Sequence, residues 1–120
     1  MIVLLVQDKP MLYTALKLTL RKKGFQLVVV SASSSPVSTI CNLHPSVIIT
    51  DITSAGSFNF IEEAKRKDLP VIVITKNGQE NLLQIAFEKG ADDYVIMPIS
   101  IAEIALRVCI LTRAKLKAVA

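Results

Sequence analysis

The sequence predicts an α/β protein built on a doubly wound parallel sheet, and three observations carry that prediction. Short apolar runs rich in β-branched residues recur at 2–6, 25–30, 46–51, 71–75 and 94–97. Segments of helical period follow each of them. The connecting loops are short and hold the Gly, Pro, Ser and Asn residues that turns require. Runs that are apolar on both faces read as strands covered on both sides. Strands alternating with helices through short loops demand right-handed crossovers and a parallel sheet. A chain of 120 residues is expected to form one domain around a single core, with no linker, repeat or low-complexity segment to divide it.

Each element has its own local signal. Ile2-Val3-Leu4-Leu5-Val6 is apolar throughout and therefore central in the sheet. Pro10 stands near a helix start, and 11–23 has helical period. Leu12, Ala15, Leu16 and Thr19 are expected on one face, with Tyr13, Thr14, Lys17 and Arg21 on the other. Gly24 stops the helix, and 25–30 is the second strand. After the polar loop 31–35, Pro36 fits the first turn of a short helix through Leu43. The third strand ends on Asp51 and is followed by the small, polar Thr53, Ser54, Ala55, Gly56 and Ser57. Asn59 with Glu62 has the spacing of a capping box for a helix to about Lys67. The run 71–75 is the fourth strand. Asn77 with Glu80 repeats the capping spacing before a helix that Gly90 stops after Lys89. A fifth strand spans 94–97, Pro98 ends it, and Ser100 with Glu103 caps a last helix from Ile101 to about Lys117.

Composition narrows the function. The chain is 52% apolar and 20% charged, which excludes disorder. No apolar run approaches the roughly 20 residues that span a bilayer, and the first strand lacks the basic flank of a signal peptide. Cys41 and Cys109 have no metal-ligand spacing and are expected as buried thiols in a reducing, cytoplasmic setting. The net charge of +4 is spread over helix ends: Lys17, Arg21, Lys22 and Lys23, then Arg107, Arg113, Lys115 and Lys117. Basic final turns complement the helix dipole. They do not form the concentrated basic, aromatic-laced surface of a nucleic-acid binder.

The chemistry gathers at strand ends, where open α/β sheets place their ligands. Gln7 and Asp8 follow the first strand, Asp51 ends the third, Thr75 ends the fourth, and Met97-Pro98 closes the fifth. With strands one, three and four adjacent, Asp8, Asp51 and Thr75 converge on one crevice. Two carboxylates and a hydroxyl suit Mg²⁺, a hard cation that keeps several waters. Lys9 and Lys76 read as solvated loop lysines, and His44 as a structural residue before Pro45.

Along nearly its whole length the chain resembles the receiver domain of bacterial response regulators. Gln7-Asp8-Lys9-Pro10 resembles that family's acidic pair, Asp51 its phosphoacceptor, and Thr75 its switch hydroxyl. The segment 90–95 resembles the stretch that carries the switch aromatic, here Tyr94, and Met97-Pro98 falls where the family has Lys-Pro. The resemblance implies the flavodoxin-like strand order 2-1-3-4-5. It also implies Mg²⁺ held by Asp8, Asp51 and Thr53, with a histidine kinase or phosphotransfer protein as phosphoryl donor.

Departures from the family pattern are Gln7 for the first acid, Ala55 for proline, Lys76 for a small residue and Met97 for lysine. The crevice loses one charge of each sign, so it keeps its formal charge and a weakened metal site. The expectation is an atypical, non-enzymatic receiver in two-component phosphorelay signalling. The alternative is a phosphorylation-independent pseudo-receiver acting as a dimerisation module. Leu106, Cys109 and Ile110 lie partly off the buried stripe of the last helix, an apolar surplus. The resemblance implies a homodimer through the fourth helix, fifth strand and fifth helix at that place. Contact with nucleic acid or a further output would fall to a separate effector domain, and no membrane contact is expected.

Overall fold

A computed structural model of the chain describes the backbone of residues 1–8, 13–52 and 55–119, and the side chains of these apart from residues 55 and 114–119. The elements are β1 Ile2–Val6, α1 Tyr13–Lys22, β2 Gln26–Val30, α2 Pro36–Leu43 and β3 Val47–Asp51. They continue with α3 Ala55–Arg66, β4 Val71–Thr75, α4 Glu80–Lys89, β5 Asp93–Ile96 and α5 Ile101–Val119. The five strands pair in parallel in the order β2-β1-β3-β4-β5. This is the flavodoxin-like doubly wound sheet that the alternation predicts.

Strand alternation divides the interior into two cores. Val3, Leu5, Val47, Ile49, Ile72, Ile74 and Val95 face Leu16 and Leu20 of α1 and Ile104, Ala105 and Val108 of α5. Leu4, Val6, Ile48, Val71 and Val73 face Ile40 of α2, Phe60, Ile61 and Ala64 of α3, and Ala86 of α4. Both faces of the inner strands are therefore dry, which is why their sequences show no polar alternation.

Several local expectations change. In α1, Ala15 is exposed and Tyr13 packs against the core margin, so the buried stripe is Tyr13, Leu16 and Leu20. Leu12 lies outside the described residues. Helix α3 begins at Ala55, four positions before the expected cap, and Asn59 is an exposed residue within it. Burial of Ser57 and Phe60 against the sheet outweighs the capping pattern. In α4 the cap position falls to Gln79 rather than Asn77. Cys41 is exposed, one helical step from the single buried residue of α2, Ile40, and Cys109 is half-buried. His44 caps α2 in the left-handed region (φ 49°) and donates its N–H to the Ile40 carbonyl at 3.0 Å. The cap at Ser100 forms as expected, its Oγ accepting from the Glu103 N–H at 3.2 Å, and Ser35, read only as a loop residue, caps α2 by accepting the Ser38 N–H at 3.4 Å.

Candidate functional site

Register assembles the site. Val6 pairs with Thr50 and with Val30, and Asp51 pairs with Ile74, one residue before Thr75. Asp8, Asp51 and Thr75 therefore follow or end three neighbouring strands at the same sheet edge. Adjacent strands lie about 4.8 Å apart. Thr50, fully buried, braces this edge: its hydroxyl has the Asp51 carbonyl at 3.0 Å and the Val6 carbonyl at 3.4 Å as acceptors.

Asp51 is half-buried and continues the alternation of Val47 and Ile49 towards the α1/α5 side. Its Oδ1 accepts from the hydroxyl of Ser57 at 3.4 Å. Ser57 is fully buried in α3. The sequence presents it as one more small loop residue, and only the early start of α3 turns it under the carboxylate.

Asp8 is exposed, and its Oδ1 accepts from the Ser31 hydroxyl at 2.6 Å and the Ala32 N–H at 3.1 Å. These two donors, the Ser31 hydroxyl first, favour the anion and hold the Asp8 carboxyl below the ordinary aspartate value. Nothing in the sequence signals Ser31, which lies 23 residues away.

Thr75 is buried and donates towards the Gln79 side-chain oxygen at 3.3 Å and the Lys76 carbonyl at 3.4 Å. Lys76 itself is exposed. Tyr94 is 39% exposed and meets Phe87 of α4 edge-on, with ring centroids 6.0 Å apart and planes at 88°. Gln7 is half-buried and its N–H donates to the Val30 carbonyl at 3.1 Å. Met97 packs against the α1/α5 core beside Val95. Thr53 and Lys9 lie outside the described residues, as does the side chain of Ala55. Among the described residues no group of three His, Cys, Asp or Glu forms a metal cluster.

The last helix divides its apolar residues. Leu106 and Ile110 are 58% and 55% exposed, whereas Cys109 leans on the core. Arg107 bonds Asp93 of β5 at 2.6 Å, which, with Glu103, raises the guanidinium's already high pKa. Among the described residues no helix is long and apolar enough to cross a membrane.

A five-stranded 2-1-3-4-5 sheet with an aspartate ending its third strand and a threonine ending its fourth defines a receiver-type signalling module. The chain belongs to the response regulator receiver domain family, which matches residues 3–109. It is 30% identical over 112 residues to the phosphate regulon transcriptional regulatory protein PhoB of Escherichia coli, covering 88% of this chain and 49% of that protein. It is 28% identical over 99 residues to the transcriptional regulatory protein AfsQ1 of Streptomyces coelicolor, covering 80% and 44%. The chain thus spans about half the length of the curated relatives it matches. A receiver domain from Clostridium thermocellum superposes with a TM-score of 0.80 at 19% identity, covering 95% of each chain. Receiver domains are signalling modules of two-component systems rather than enzymes. They interact with histidine kinases or phosphotransfer proteins and generally bind Mg²⁺ in an acidic pocket.

Proposed function

We propose that this chain is an atypical receiver domain whose phosphoacceptor is Asp51. The observation that carries the reading is Asp51 itself, half-buried at the C-terminal end of a central strand, with Thr75 ending the neighbouring strand. A carboxylate oxygen of Asp51 attacks phosphorus, the bond from phosphorus to the donor breaks, and the donor leaves with its electron pair. The product is an acyl phosphate. Catalysis of such transfers is positioning plus electrostatic stabilisation. Ser57 supports the first by holding the carboxylate through Oδ1.

The donor set around the crevice fits a hard divalent cation. Asp8 and Asp51 contribute carboxylate oxygens, and both hydrogen bonds on Asp8 fall on Oδ1, leaving Oδ2 as a ligand atom. Thr53 is the third ligand on this reading. When bound, Mg²⁺ neutralises charge developing on the phosphoryl oxygens. Gln7 removes one anionic anchor, so the metal binds more weakly than in a site with both acids. Met97, engaged with the core, supplies no cation to the phosphoryl group. Switching is therefore altered as well as weakened.

The chain acts as one receiver domain in the cytoplasm. It takes its phosphoryl group from a histidine kinase or phosphotransfer protein and signals through protein contact. Exposed Ile85 and Phe87 on α4, Tyr94 and Ile96 on β5, and Leu106 and Ile110 on α5 form the face offered to a second copy. Any contact with nucleic acid belongs to an effector domain outside these residues.

Gln7 and Met97 favour a second reading, a pseudo-receiver that dimerises without phosphate. One experiment separates the two. The chain is incubated with Mg²⁺ and acetyl phosphate, then with beryllofluoride, and intact mass and the Tyr94 ring resonances are followed. A phosphoryl adduct absent from Asp51→Asn is the expected result. No adduct and no resonance shift in the parent chain would establish the pseudo-receiver instead.

A further inference from the structure

The loop between β2 and α2, residues 31–35, lies against Asp8. Because Val6 pairs with Val30 and the Gln7 N–H reaches the Val30 carbonyl, the next residues of the two strands, Asp8 and Ser31, meet. Ser31 is itself oriented. Its oxygen accepts the Ser33 N–H at 3.2 Å and lies 2.9 Å from the Ser33 hydroxyl, while it lies 2.6 Å from Asp8 Oδ1. An oxygen already accepting from Ser33 directs its own proton to the carboxylate. The Ala32 N–H reinforces the same oxygen of Asp8 at 3.1 Å.

An independent contact fixes the loop from the opposite side. Gly56 in the first turn of α3 approaches Ala32 so closely that an added Cβ would stand 2.0 Å from the Ala32 carbonyl oxygen. Only glycine permits this approach. Asp8, Ala32, residues 33–36, Gly56 and Asn59 border an open cleft of about 450 Å³, and Asp51 is not among the residues that line it.

We propose that Ser31 is a positioning residue for the divalent cation, holding Asp8 by Oδ1 so that Oδ2 is presented to the metal. This rests on the metal reading of the crevice and assigns it a support that the acidic residues alone do not provide. With Gln7 in place of the first acid, the surviving carboxylate of that pair gains more from being held still. Groups that fix a metal-ligating carboxylate commonly matter about tenfold or more in affinity.

The test is calorimetric titration of Mg²⁺, with Mn²⁺-induced relaxation of the Ala32 amide signal as a second readout. It uses the parent chain and the variants Ser31→Ala, Ser31→Thr and Gly56→Ala, each checked for folding by circular dichroism. Ser31→Ala is expected to lose about tenfold in affinity. Ser31→Thr, which keeps the hydroxyl, is expected to restore most of that loss. Gly56→Ala is expected to weaken binding without altering any ligand. Unchanged or tighter binding by Ser31→Ala overturns the positioning role and leaves the metal site standing. A folded Ser31→Thr as weak as Ser31→Ala overturns it too, since the hydroxyl is then not the operative group. A parent chain that binds neither ion at millimolar levels overturns both the role and the metal reading.

Discussion

The Thr75 hydroxyl and the Gln79 side-chain oxygen are hydrogen-bonded at 3.3 Å, and that oxygen also accepts the Lys76 N–H at 2.8 Å. A hydroxyl has one proton. While Thr75 gives it to Gln79, or to the Lys76 carbonyl, none would be offered to a phosphoryl group on Asp51, the acceptor proposed above. Gln79→Ala removes one competitor, worth roughly 1 kcal/mol net, and is expected to tighten beryllofluoride binding about fivefold. The measurement is a fluoride-dependent titration followed by the Thr75 methyl resonance. Unchanged affinity with a shifted methyl signal would show that Gln79 serves only the β4–α4 loop.

Leu106 and Ile110 lie four residues apart on α5, both more than half exposed. Replacing both with serine removes apolar area from the face assigned to a second copy and leaves the core untouched. Sedimentation equilibrium is expected to show dimer association weakened at least tenfold. Unfolding free energy should move by no more than about 0.5 kcal/mol, as for other surface changes. An unchanged association constant would place any dimer on another face.

Asp92 and Val71 exchange two bonds: the Val71 N–H donates to Asp92 Oδ2 at 2.7 Å, and the Asp92 N–H donates to the Val71 carbonyl at 2.9 Å. The pair fastens the chain entering β5 to the first residue of β4. Asp92→Ala keeps the backbone bond and loses the charge-assisted one. The expected cost is about 1.5 kcal/mol, the low end for such bonds because Asp92 is exposed. A lowered urea midpoint at constant slope would register it, and a midpoint equal to the parent's would refute it.

Glu62 of α3 is paired with Lys89 of α4, whose hydrogen bond and charge hold the carboxyl below its ordinary value. A carboxyl lowered on folding adds stability above its unfolded pKa, and that contribution is lost as pH falls through the lower folded value. Stability is therefore expected to decline on acidification through and below the usual glutamate range. In Glu62→Gln that part of the decline should be absent. Both side chains are more than a third exposed, so the difference is small and fades with salt. Parallel pH profiles for the two proteins would show that the pair contributes nothing.

Strands were legible because short, almost wholly apolar runs rich in β-branched residues, such as Val47–Thr50 and Val71–Thr75, suit a parallel strand covered on both faces. The aspartate and threonine at their ends were legible for the same reason, since a strand's last residue is fixed in place by the strand itself. Helix starts were less so. The Asn59–Glu62 spacing satisfies a capping rule, yet α3 begins at Ala55 because Ser57 and Phe60 pack under the sheet edge. Local chemistry favoured one boundary, and tertiary burial set another. Ser31 and Ser57 were invisible as site residues for a related reason. A serine acquires a role near a carboxylate only through strand register or helix phase, and neither leaves a mark on its sequence neighbours.

The sheet that parts the two cores also parts their energetics. Ile104 packs on the α1/α5 side and Ile61 on the α2–α4 side, each fully buried and belonging to separate core clusters of the described residues. Trimming either to valine should cost about 1 kcal/mol, and the double variant should lose the sum to within about 0.5 kcal/mol. Residues behind the sheet can thus drift without disturbing those in front of it. Such a partition lets a surface for partners change on one side while the scaffold that presents Asp51 stays as it is.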